Sequence, residues 1–205
     1  MLDDLDSTDW HLLRHAHGSA ADVPALLRAL LSADDDQRKE ACIDLHERVW
    51  HQGTIYPASA AVLPFLRQLL SSEDVFVRDC AVSLICCIAT GTGWITHGIR
   101  MLGEAAIRDR LEKKGCTLEQ SRQQEVQVLQ AIQAEVAQCL PDLVPHLGNT
   151  EDLAGLVAEV LIKSSNKAEW AIRAIDEAVN VSANPEHRSW LADTKRKMLE
   201  QNDEA

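Results

Sequence analysis

Three stretches of the chain spell one pattern: PALLRALLSADDDQRKEA from Pro24, PFLRQLLSSEDVFVRDCA from Pro64 and PDLVPHLGNTEDLAGLVA from Pro141. Leu follows each proline by six residues (Leu30, Leu70, Leu147), an acidic residue by ten (Asp34, Asp74, Glu151) and Ala by seventeen (Ala41, Ala81, Ala158). The first two copies also share Arg at fourteen, Arg38 and Arg78. Such a unit is a pair of helices that cannot bury its apolar face alone, so neighbouring units must stack. Pro24 and Pro64 lie 40 residues apart, Pro64 and Pro141 lie 77 apart, and one divergent unit fills the longer gap. The expected fold is an all-α solenoid of about four to five helix pairs forming a single domain over 1–205. Its repeats fall near 22–53, 58–91, 98–137 (divergent) and 138–165, with a C-terminal cap over 167–200.

Composition agrees with helices and narrows the partner. Hydrophobic residues make up 46%, and Gly (9) and Pro (6) are too few to punctuate many short strands. The net charge of −12 leaves no basic stripe with which to displace counterions from a duplex, so nucleic acid is not expected. A basic protein fits this balance better. MLDDLDSTDW lacks the basic-then-apolar layout of a secretory signal. The most apolar segment, Cys80 to Ala89, is far shorter than the ~20 residues of a membrane span. Most of the six cysteines sit beside Ala, Ile, Val and Leu, without CxxC spacing, which reads as reduced core cysteine in a cytoplasmic protein rather than a disulfide framework.

Along the chain, the spacing predicts a short helix over 8–17 stopped by Gly18, then a helix from the Asp22 cap to about Leu31 and a partner from Gln37 to about Trp50. The second unit pairs 58–70 with 75–89 and closes on Gly91 and Gly93. Helices over 98–114 and 117–139 follow, separated by KKGC (Lys113 to Cys116). In the second of these, Val126, Leu129, Ile132, Val136 and Leu140 form the inward stripe and the Gln/Glu face is outward. The last two helices span 167–181 and 185–200.

The segment LPFLRQLLSSEDVFVRDCAVSL resembles a HEAT repeat, with Pro64 in the first helix, Asp74 in the turn, and Val77 and Arg78 opening the second. The first unit matches through Pro24 and Arg38, with Gln37 where Val is usual, and the third has Gly155 in place of the Arg. The resemblance implies a right-handed α-solenoid whose second helices line a concave face. The chain is also similar to small bacterial HEAT-like proteins in the stretch Trp10, Leu13, His15, Ala16, Gly18, Ser19, Ala20, Asp22, Val23, Pro24 and in HQGT, His51 to Thr54. Compact acidic helical-repeat proteins of this sort include immunity proteins that block a secreted toxin.

His11 and His15 would share a helix face at i, i+4, a spacing that can hold zinc, with His17 nearby. No HExxH and no carboxylate in register accompany them, so no metal and no cofactor are expected. GxSxG, kinase and dinucleotide signatures are absent, which points away from an enzyme. Two stretches have the composition of partner loops: WHQGTIY (Trp50 to Tyr56), joining two repeats, and GTGWITHG (Gly91 to Gly98), placed to lie beside it. The expected function is a non-enzymatic protein-binding module of the immunity type. The expected partner-binding residues are Asp44, Glu47, Trp50, His51, Thr54, Tyr56, Asp79, Trp94 and His97. A HEAT-like nucleic-acid-acting enzyme of the glycosylase kind, or a general scaffold, is the alternative.

Overall fold

A computed structural model describes residues 2–148, 151–164 and 169–203. The described chain is mostly helical and carries five strands of two residues each. It divides into two compact units, 1–135 and 136–205.

In the first unit, α1 (Val23–Ala29) packs on α2 (Asp35–Val49), α3 (Pro57–Leu69) packs on α4 (Val75–Thr90), and α2 lies against both α3 and α4. Leu27, Leu30, Leu45, Leu63, Leu66, Leu69, Leu84 and Ile88 are fully buried between them. The turns inside the two hairpins use the repeated residues identically. Asp34 caps α2 by accepting from Asp36 N (2.9 Å) and Gln37 N (3.1 Å), and Asp74 caps α4 by accepting from Val77 N (3.2 Å). Arg38 Nη1 donates back to the Ser32 carbonyl (3.0 Å), as Arg78 Nη1 does to that of Ser72 (2.9 Å). Arg38 also reaches Asp74 of the next hairpin at 3.3 Å, so the cap of one turn is tied to the arginine of the other.

In the second unit, the last part of α7 (Leu118–Leu143) leads into a 3-10 turn, Val144–Gly148, and α8 (Glu151–Ser164). α9 (Glu169–Val181) packs on α10 (Pro185–Asp203). Leu143, Leu147, Val157, Leu161, Ala171, Ile175 and Leu191 form its interior. The turn between α9 and α10 repeats the offsets of the other two, Ser182-x-Asn184-x-x-x-Arg188. Asn184 Oδ1 accepts from Glu186 N (2.9 Å), and Arg188 Nη1 donates to the Ser182 carbonyl (2.9 Å). This pair, expected as a plain cap, therefore carries the same turn chemistry as the first two hairpins. The Pro141 copy lacks the arginine, and the side chains of its acidic residues, Glu151 and Asp152, lie outside those described, as does that of Trp170.

Four expectations need correction. Residues 8–17 are not a helix: a 3-10 turn (Trp10–Leu12) leads into a hairpin of β1 (Arg14–His15) and β2 (Gly18–Ser19). Trp10 is drawn inward by its indole, which donates to the Leu5 carbonyl (2.9 Å), and by its contact with Phe65, 5.7 Å between ring centroids. The expected helix over 98–114 is two, α5 (Trp94–Leu102) and α6 (Glu104–Glu112), parted at Gly103. On α7 the buried positions include Ser121 and Glu125 rather than Val126, which is exposed. Finally, Cys42 of α2 and Cys80 of α4 form a disulfide, against the expectation of reduced thiols. Helix packing brings their Cα atoms to 6.3 Å, a distance that a bridge spans. Cys86, Cys87 and Cys139 are buried and take no part in a disulfide, and Cys116 is exposed.

Candidate functional site

Trp50–His51 (β3) and Thr54–Ile55 (β4) pair antiparallel around Gln52 and Gly53, both with positive φ (50° and 80°), the geometry of a primed two-residue hairpin turn. Thr92–Gly93 (β5) then adds in parallel, Thr54 opposite Thr92 and Ile55 opposite Gly93, and Thr92 N donates to the Gly53 carbonyl (2.8 Å). The two stretches singled out in the sequence are thus joined into one three-stranded seam. Glycine is needed where β5 passes. A Cβ at Gly91 would sit 2.4 Å from Ile55 Cγ2, and one at Gly93 would sit 2.2 Å from the Glu125 carboxyl carbon.

Glu125 had no place in the sequence reading and holds the seam's last helix. Its carboxylate, 4% exposed, accepts from Ile95 N, from Thr96 N (3.2 Å) and from the Thr96 hydroxyl (2.5 Å). It caps α5 from across the fold. That fixes Trp94 at the edge of a cleft of about 290 Å³, whose walls include Leu13, Arg14, His15, Tyr56, Trp94 and Gln124. Small-molecule sites typically occupy about 300–1,000 Å³, so this cleft has room for a partner's side chain and little more. Burial raises the Tyr56 phenol above its usual range, against the lowering effect of a hydrogen bond from Thr54. Arg14 is exposed and makes no ion pair among the described residues.

Next to the cleft, the N-terminal hairpin docks on the end of α2 through Ala16 N and the Arg48 carbonyl (3.1 Å). His15, only 6% exposed, accepts from His17 N on Nδ1 (3.0 Å), so its Nε2 carries the proton and donates to Asp22 (3.0 Å). Asp22 does not cap α1 with its side chain; it accepts from Arg48 Nε at 2.5 Å. Burial works to raise the Asp22 pKa, but the bonds from Arg48 and His15 outweigh it and hold the carboxyl below its ordinary value. The same contact with Asp22 raises that of Arg48. The segments DVP and HAHGS are therefore both tied to Arg48, three residues before HQGT, although some 30 residues separate them in the chain.

The expected site residues fall into two groups. Trp50, His51, Thr54, Tyr56 and Trp94 belong to the seam, and His97 follows on α5, where its Nδ1 accepts from Arg100 (3.2 Å). Asp44 and Glu47 stand on the last turns of α2 and are already paired, Asp44 with Arg48 at 3.3 Å and Glu47 with His51 at 2.8 Å. Asp79, on α4, is also engaged. Of the carboxylates expected to steer a basic partner, Asp44 is thus spent on a guanidinium and Glu47 on an imidazole.

Among the described residues, two side-chain groups have metal-ligand chemistry: Cys42, His46 and Cys80, the two sulfurs joined to each other, and His17, Glu47 and His51. The expected helical pair His11 and His15 is not one of them. Both His15 nitrogens are engaged, Nε2 by the Asp22 carboxylate, and of the three N-terminal histidines His17 is the one in such a group among the described residues.

No protein-family model and no curated protein matches the chain. Among solved structures it is similar to the crystal structure of an engineered protein, at 21% identity over 86% of this chain and 79% of that chain, with a TM-score of 0.36. A likeness that slight carries no argument about fold or function. No helix among the described residues is long and apolar enough to cross a membrane.

Proposed function

We propose that the chain is a HEAT-like helical-repeat protein, its hairpins stacked as a right-handed α-solenoid, acting as a non-enzymatic binding module for a basic protein. The observation that carries this reading is the seam. Two loops that follow equivalent hairpins are hydrogen-bonded side by side, and Tyr56 and Trp94 flank one cleft. The Arg38–Asp74 bridge between successive turns supports the stacking of repeats. Aromatic side chains offer contact area at low entropic cost and recur as the anchors of protein interfaces. The net charge of −12 accelerates encounter with a cationic surface even where individual carboxylates are paired. The most specific form of the proposal is an immunity protein that occludes a toxin's basic active site in the cytoplasm.

Co-expression with the products of the genes beside it tests this. A neighbour that co-purifies with the wild-type chain, and not with the Tyr56→Ala/Trp94→Ala variant, supports the proposal. Failure of every neighbour to bind removes the immunity form, and binding indifferent to both substitutions removes the seam.

A further inference from the structure

His17 follows β1 in the N-terminal hairpin, Glu47 is in the last turn of α2, and His51 ends β3. Three separate elements thus deliver two imidazoles and one carboxylate to one place. Their ligand atoms all lie within 4.8 Å of one another. Ligands about 2.1 Å from a tetrahedral ion stand about 3.4 Å apart, so small side-chain rotations close the set. His51 Nδ1 and Glu47 are already 2.8 Å apart, and the His17 and His51 rings meet edge to face with centroids 5.2 Å apart.

Their backbones are held in advance. His17 N–H is bonded to His15, Ala16 N–H to the Arg48 carbonyl, and His51 is pinned opposite Thr54 by the primed turn. Arg48, next to Glu47 in the chain, is matched by two carboxylates, Asp22 and Asp44, so its repulsion of a metal ion is offset. No side-chain hydrogen bond engages the His17 ring among the described residues.

We infer that His17, Glu47 and His51 form a site for a first-row divalent cation of the Zn²⁺ type. Two His and one carboxylate are a donor set that zinc accepts with at least one coordination position left open to water or to a partner's side chain. The site adjoins the seam but does not depend on protein binding. A chain that binds no partner can still bind the metal.

The test is calorimetric titration of ZnCl₂ into the metal-stripped full-length chain, without reductant, so that Cys42 and Cys80 stay in their disulfide. The expected result is a single site per chain. Loss of an outer-shell partner costs metal sites on the order of 10–100-fold, so His17→Ala and His51→Ala should each weaken binding at least tenfold, and Glu47→Gln in the same direction. His17 is exposed, so its variant should fold, and an unchanged circular dichroism spectrum would check that. Cys42→Ser/Cys80→Ser should keep the site. Co²⁺ in place of Zn²⁺ should give visible bands without thiolate charge transfer. Absence of binding, or binding unchanged in His17→Ala and His51→Ala, overturns the inference. Thiolate charge transfer in the wild-type protein assigns the metal to the cysteines and overturns it as well.

Discussion

Replacing Glu125 with Ala should release α5 from the seam. The carboxylate accepts from Ile95 N, Thr96 N and the Thr96 hydroxyl, and only Ile95 is buried. Thr96 recovers water when the carboxylate goes; Ile95 N–H does not. A buried hydrogen bond to a charged group is worth about 1.5–3 kcal/mol, and a carboxylate at a helix N-terminus adds about 0.3–1 kcal/mol. The sum is about 3 kcal/mol, equivalent to about a hundredfold in an opening equilibrium. Amide exchange across 94–102 should accelerate by that order in Glu125→Ala, with a matching loss of stability in urea. Glu125→Gln keeps an acceptor of the same shape and should lose about 1 kcal/mol. Gly93→Ala should imitate Glu125→Ala, because its methyl would occupy the carboxylate's position. Stability within about 0.5 kcal/mol of wild type in Glu125→Ala, with unchanged exchange over α5, would refute the assignment of Glu125 as the cap.

Cys42→Ser/Cys80→Ser removes a bridge between residues 38 apart, and chain entropy sets the expected cost at about 4 kcal/mol, read by denaturation with and without reductant; equal stability in both conditions contradicts a formed bridge. The depressed pKa of Asp22 gives a stabilisation that is complete above the ordinary value of 3.8 and disappears as pH falls through the lower folded-state value. Asp22→Asn should therefore flatten the acid limb of the stability profile, and an acid limb identical to wild type would sink the network. Tyr56 is the sole tyrosine, so tyrosinate absorbance titrates it alone. Its midpoint should lie above 10.0 and rise further in Thr54→Val, which loses the hydrogen bond that lowers it; a fall would place Tyr56 outside the buried wall of the cleft.

The repeated turn was legible because its chemistry is local. Asp34 and Asp74 cap helices that begin one residue later, and Arg38 and Arg78 bond back within six residues. The third such turn, at Ser182, Asn184 and Arg188, was equally readable but hidden by aligning the copies on proline. The N-terminal hairpin was not legible. Its histidines satisfy helix spacing, and what overrides that spacing is His15 bonding to Asp22 and Ala16 to Arg48, contacts no local pattern announces. Glu125 looked like one more polar residue on a Gln-rich face, since its donors are about 30 residues away in the chain. The seam was half readable. Composition marked Trp50 to Tyr56 and Gly91 to Gly98 as unusual, while the pairing of Thr54 with Thr92 rests on how α3 and α4 return the chain. The disulfide was misread for the same reason: Cys42 and Cys80 meet only when two hairpins pack.

Amide exchange of the chain alone and with the neighbouring-gene product that co-purifies with it tests the central idea most directly. Protection concentrated on 14–19, 50–56 and 92–98 is the predicted footprint. Protection confined to 136–205, with the seam exchanging as in the free chain, would contradict it.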